Sequence, residues 1–163
     1  MQQQEIEKIQ IEELHKEIDL IQNCINRMAN NSFLLKGWLI TIIAAVVTLS
    51  QAELDSAVFF VLVFSTLIFW WMDAFFLRAE KEYRKMYEWM LKKRKENSRE
   101  LQYDLNPKRF ETQVESIWGV MKSPTLAGFY LCILIAVIFV ALYLSFPIEE
   151  WLTKIISCIK AKR

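Results

Sequence analysis

The sequence predicts an all-α membrane protein: three transmembrane helices with an N-terminal amphipathic helix and a cytoplasmic helical loop domain. Three observations predict it. Three long apolar runs carry almost no charge, and each has the length, about 20 residues, that a helix needs to cross a hydrocarbon core of roughly 30 Å. Hydrophobic residues make up 54% of the chain, yet charged residues still reach 24%, and the two classes fall in separate blocks. Only three Gly and three Pro are present, so turns are few and helices long.

Residues 1–32 read as a cytoplasmic amphipathic or coiled-coil helix. Ile11, Leu14, Ile18, Ile21, Ile25 and Met28 recur at alternating spacings of three and four, a narrow heptad seam. Such a stripe suits pairing with another helix. The expected partner is a second copy of the chain, with the protein's own second helix as the alternative. Residues 33–77 form a transmembrane hairpin with spans 33–50 and 58–77, joined by a short acidic connection. The second span has no breaker before Glu96, so one helix is expected over 58–96, with Asn97-Ser98 as its stop. Region 78–122 is basic and helical. Asn106-Pro107 is expected to open a helix that carries Phe110, Val114, Ile117, Trp118 and Met121 on one side. The third transmembrane helix occupies 123–146, with Ser123 as its N-cap and Pro124 at the first helical position. Residues 147–163 form an amphipathic tail whose apolar face suits a membrane interface.

Lys and Arg set the orientation. Four precede or enter the first span, twelve lie in 78–122, none in the hairpin connection and four in the tail. This places the N-terminus and the 78–122 loop in the cytoplasm and the tail on the far side. The start, MQQQEIEKIQIEEL, is polar and acidic, unlike a secretory signal. Cys24, Cys132 and Cys158 are scattered and read as small hydrophobes.

No nucleophile elbow, phosphate loop or metal-ligand cluster is present, and His15 is the only histidine. The expectation is a non-enzyme without cofactor or metal. Charges inside spans are more informative, because an ionisable residue there needs a partner or water. Reflecting position 36 through the hairpin centre near 54 lands close to 73, so Lys36 and Asp73 share a depth, with Arg78 just beyond. They read as an interhelical ion pair or as a charged ring at the mouth of an ion pathway. Lys92, Lys93, Arg94, Lys95, Arg99, Lys108 and Arg109 form a basic cluster in a region with net charge +4, opposite an N-terminal helix of net charge −3. The cluster suits packing on that helix, the positive-inside bias, phospholipid, or an anionic ligand such as a nucleotide or oligonucleotide.

RMANNSFLLKGW at 27–38 and WWMDAFFLRAEKEYRKMY at 70–87 resemble stretches of small bacterial membrane proteins that share this hairpin and third span. Proteins of this type resemble the HalA-type membrane effectors of the Hailong antiphage defence system. The resemblance covers nearly the whole chain in layout and about thirty residues in motif. It implies an oligomeric channel of the bacterial inner membrane. It implies further that the channel is held shut by an oligonucleotide that a partner nucleotidyltransferase makes, and that it opens to depolarise the infected cell. The expected partners are therefore the bilayer, further copies of the chain (taken as a tetramer) and that ligand. The competing expectation is a non-conducting anchor that presents a helical docking platform.

Overall fold

The computed structural model describes residues 2–49 and 56–145, with side chains over 4–49 and 57–142. The hairpin connection and the tail 147–163 lie outside the described residues. Helices and short loops account for all of those described, and three of the helices are long and apolar enough to cross a membrane.

Helix α1 runs without a break over Gln2–Leu49, merging the N-terminal helix and the first span. Nothing in the intervening Asn30-Asn31 terminates it. Helix α2, Ser56–Lys95, is also continuous. It ends at Asn97, where a positive φ of 56° lets Ser98 N–H reach the Lys93 carbonyl and Asn97 N–H reach that of Arg94. This is the paired 6→1 and 5→2 arrangement that closes a helix with a left-handed residue. The α2 C-terminus also holds Lys92, Lys93, Arg94 and Lys95 in its last turn, where cations complement the helix dipole.

The two helices lie antiparallel, as the pairing of residue 17 with 94 and of 36 with 73 shows. At the polar end, Ile21 and Ile25 of α1 are buried with Met86 and Met90 of α2 and with Phe110. Leu14 and Ile18 pack on that cluster, while Ile11 is exposed. Much of the heptad seam therefore lies inside a single chain. The buried stripe of α1 also takes in Glu17 and Ser32, polar residues that an apolar count passes over.

The single helix expected after Asn106-Pro107 is instead two pieces: a 3-10 helix over Pro107–Gln113 and the short α3, Ile117–Met121. Asn106 Oδ1 accepts from Lys108 N–H, and Pro107 sets the first turn. Val114 is extended, and Ser116 then accepts from Gly119 N–H to start α3. The break rotates the expected apolar face apart. Phe110 and Val120 are buried, whereas Trp118 is 65% exposed. Helix α4, Pro124–Ser145, follows. Its first turn is held by the Ser123 carbonyl, which accepts from Ala127 N–H at 2.8 Å, while the Ser123 hydroxyl makes no bond among the described residues. The expected side-chain cap is thus a backbone one. A second core joins Leu39 of α1, Ala74 of α2, Val120 of α3, and Leu126 and Tyr130 of α4.

Candidate functional site

Helical periodicity brings polar groups from all three long helices to this second core, two from α1 and one each from α2 and α4. Ser32, Lys36 and Leu39 share a face of α1, Trp70, Asp73 and Ala74 a face of α2, and Leu126 and Tyr130 a face of α4. Asp73 is fully buried and gathers a partner from each neighbour. Lys36 Nζ lies 2.5 Å from Asp73 Oδ2. The Ser32 hydroxyl donates to Asp73 Oδ1 and accepts from Lys36 Nζ at 2.9 Å. The Tyr130 hydroxyl shares its proton between Asp73 Oδ2 at 3.0 Å and the Phe69 carbonyl at 3.2 Å.

Aromatic rings wall the cluster. Trp70 stacks on Tyr130 at 5.7 Å with 5° between planes, and its Nε1 donates to the Met121 carbonyl at 3.1 Å. Phe129 lies 5.9 Å below Lys36 Nζ. The lysine is 27% exposed on its side chain, which leaves an edge open beside a closed carboxylate. A buried charge is tolerated only when paired and hydrogen-bonded, and this one is both. The arrangement locks three helices in one register and depth.

Arg78, grouped with Lys36 and Asp73 on the sequence, stands apart. Its Nε lies 3.4 Å from Glu82, and its Nη2 donates to the Glu111 carbonyl at 3.3 Å. Burial pushes the Glu82 carboxyl above the ordinary carboxylate range, against the lowering effect of Arg78.

Toward the tip of the polar end, the basic cluster divides. Arg94 forms a two-pronged pair with Glu17, Nε to Oε2 and Nη2 to Oε1, both at 2.8 Å. Its Nη1 donates to the Ser98 carbonyl, and Glu17 also accepts from Tyr103 N–H at 3.2 Å. The hydrogen bonds to Glu17 hold the guanidinium above its already high ordinary value. Lys93 lies 3.0 Å from Glu100, Arg99 3.2 Å from Glu13 and Arg109 3.5 Å from Asp104. Arg109 also covers Trp89 at 5.4 Å. Lys92, Lys95 and Lys108 are exposed, with no ion pair among the described residues. Of the seven cations, these three are the ones that meet no carboxylate of the chain among the described residues.

Ser32, Tyr130, Trp70 and Glu17 are the residues that sequence reasoning missed. Ser32 was within reach of it, four positions before Lys36 on the same face. Tyr130 carried a weaker signal, since a buried tyrosine hydroxyl in an apolar helix needs a partner. Which partner depends on how α4 is rotated against the hairpin, and no local pattern encodes that.

The apolar end contains a groove of about 400 Å³ between the helices, lined by Ile40, Ala44, Leu62, Ala136 and Val137 among others. The threonine hydroxyls there turn back on their own helices, Thr48 to the Ala44 carbonyl and Thr66 to that of Leu62. No protein-family model, curated protein or solved structure matches the chain.

Proposed function

We propose that this chain is a subunit of a homo-oligomeric membrane channel or pore-forming effector of the bacterial inner membrane, gated by an anionic nucleotide or oligonucleotide at its cytoplasmic side. The observation that carries the reading is continuity: α1 and α2 each run unbroken from the charged end into the apolar end, and the Asp73 cluster ties them to the third span. Stiff helices that cross both regions give a ligand bound at one end mechanical purchase on the other. The N-terminus and 78–122 lie in the cytoplasm on this reading, by the asymmetry of Lys and Arg. The resemblance to antiphage effectors supports depolarisation of the infected cell as the output and a partner nucleotidyltransferase as the source of ligand.

The ligand-facing cations are Lys92, Lys95 and Lys108, because the others of the cluster meet carboxylates of their own chain. Repeated around a symmetry axis, three such lysines become a strong positive ring. The conduit itself forms between subunits, since the polar groups of one chain's spans are satisfied inside it.

Purified protein in liposomes tests this by ion flux with and without a DNA oligomer. Ligand-dependent flux in wild type, and loss of that dependence in Lys92→Gln/Lys95→Gln/Lys108→Gln, are the expected results. Absence of flux under every ligand condition, together with a monomeric mass, overturns the reading. The second reading is then the better one, a non-conducting anchor and scaffold. It is favoured by one observation, that every side chain lining the groove between the spans is apolar except Thr48, whose hydroxyl turns back on its own helix.

A further inference from the structure

The groove among the spans is floored by Leu62 of α2 and Val137 of α4, both buried. Its walls are one stripe of α1, Ile40, Ala44 and Thr48, and one of α4, Ile133, Ala136 and Val140, each residue about a helical turn from the last. Ala44 and Ala136 are exposed, and their small side chains leave the space between the two helices open. Lys36 and Phe129 stand one turn before Ile40 and Ile133, and the Lys36 ammonium lies 5.9 Å over the Phe129 ring. Toward the charged region, the stripes that frame the groove therefore end on a cation.

The groove has no partner for water. Thr48 carries the one polar side chain of its lining, and that hydroxyl donates to the Ala44 carbonyl. A water needs two to four polar partners, and a cavity without them stays dry. Between membrane spans, the alternative filling is hydrocarbon. Residues 40 to 48 take up about 12 Å of helix, so a volume of about 400 Å³ gives an average section of roughly 33 Å². A helix about 10 Å across needs roughly 80 Å². A second copy's helix is too wide to enter, whereas an extended hydrocarbon chain is not.

Depth fits the same occupant. Trp38, Trp71 and Trp118 are 62%, 49% and 65% exposed. The first two lie two residues from Lys36 and Asp73, and the third is in α3, whose Met121 carbonyl accepts from Trp70 Nε1. Exposed tryptophans at one level mark the headgroup boundary of a membrane. From Lys36 to Thr48 is about 18 Å of helix, close to the roughly 15 Å of hydrocarbon in one leaflet. The ammonium at the boundary has three N–H donors. One meets Asp73 and one the Ser32 hydroxyl, while the third has only the Ser32 carbonyl at 3.4 Å, beyond the ordinary range. With its side chain 27% exposed, Lys36 keeps a donor for an anion outside the chain, and at this level the anions are lipid phosphates. We propose that the groove binds one phospholipid of the cytoplasmic leaflet, with an acyl chain along Ala44 and Ala136 and the phosphate on Lys36. The choice of leaflet rests on the orientation proposed above, and the site itself does not rest on conduction.

The test is native mass spectrometry of the full chain, delipidated in detergent and titrated with phosphatidylglycerol. Wild type is expected to hold one lipid per chain. Ala44→Phe/Ala136→Phe, which fills the groove, is expected to weaken binding by more than tenfold with a thermal midpoint level with wild type or above it. Ala136→Leu alone, a smaller filling, should weaken it severalfold. Ile135→Phe, placed where α4 is 66% exposed, should leave binding unchanged. Diacylglycerol with the same chains but no phosphate is expected to bind at least tenfold more weakly. Filled variants that hold lipid as wild type does overturn the inference, and so does an equal loss in Ile135→Phe, which marks annular lipid only. Diacylglycerol that binds as well as the phospholipid overturns the seat on Lys36. No lipid on wild type, with a smaller assembly mass in the filled variant, gives the groove to a second copy and sinks the proposal. Lipid bound as expected in a protein that never conducts refutes the channel reading alone.

Discussion

Replacing Lys36 with methionine is expected to destabilise the protein more than replacing Asp73 with alanine, although both break the same ion pair. Removing one partner of a buried pair costs about 3–5 kcal/mol, because the remaining charge stays buried without its counterion. The two residues differ in what is left. After Lys36→Met, the Asp73 carboxylate is still fully enclosed and retains only the neutral donors Ser32 and Tyr130. Hydrogen bonds between helices in membranes average only about 0.6 kcal/mol each, so two of them recover little over 1 kcal/mol. After Asp73→Ala, the lysine is already 27% exposed and swings its ammonium toward water. Tyr130 keeps the Phe69 carbonyl, and Ser32 can turn to its own helix. We therefore expect about 3–4 kcal/mol for Lys36→Met and about 2 kcal/mol for Asp73→Ala. The double variant Lys36→Met/Asp73→Ala should lie well below the sum, since no charge is left unpaired. Unfolding in bicelles by titration with a denaturing detergent, followed by far-UV circular dichroism, gives all corners of the cycle. A reversed order of the single variants, or a coupling within the roughly 0.5 kcal/mol expected of independent sites, refutes this account of the cluster.

At the polar end, Arg94→Lys should destabilise by about 2 kcal/mol or more, because an ammonium cannot reproduce the two-pronged contact with buried Glu17; faster trypsin cleavage in the 95–100 loop reports it. Leu101→Gly should stabilise by about 1 kcal/mol by relieving the left-handed backbone, read as a higher thermal midpoint; an unchanged or lower midpoint contradicts that strain. Glu82 supplies a pH test. Burial raises its carboxyl, so the folded state binds the proton more tightly than the unfolded one. Its contribution to stability therefore grows as pH falls from neutral toward the ordinary carboxylate range and is lost as pH rises through the raised value. Thermal midpoints of wild type and Glu82→Gln, compared from about pH 5 to 8, should converge at the acid end and separate at the neutral end, with the variant the more stable there.

Much of the architecture is decided by near-neighbour chemistry and was legible in the residues. Long uncharged runs make long helices, and Asn97 ends α2 because an asparagine tolerates the left-handed turn there. The hairpin's symmetry brought Lys36 level with Asp73, since two antiparallel rods of equal rise share depth on either side of their connection. What lay beyond the sequence was settled by packing between distant segments. A heptad seam states that a helix wants a partner but not which one, and here α2 takes up Ile21 and Ile25 while Ile11 stays outside. A run of lysines and arginines states charge but not neutralisation, and only the fold sets Glu17 against Arg94 and Glu13 against Arg99. The 107–121 segment was read by periodicity as one helix. The fold divides it at Val114 so that Phe110 enters one core and Val120 the other. Tyr130 reaches Asp73 only because α4 settles at one rotation and depth against the hairpin. Local pattern chooses the helices, and contacts across 41 to 77 residues of chain, between groups that sequence spacing does not relate, choose what those helices bury.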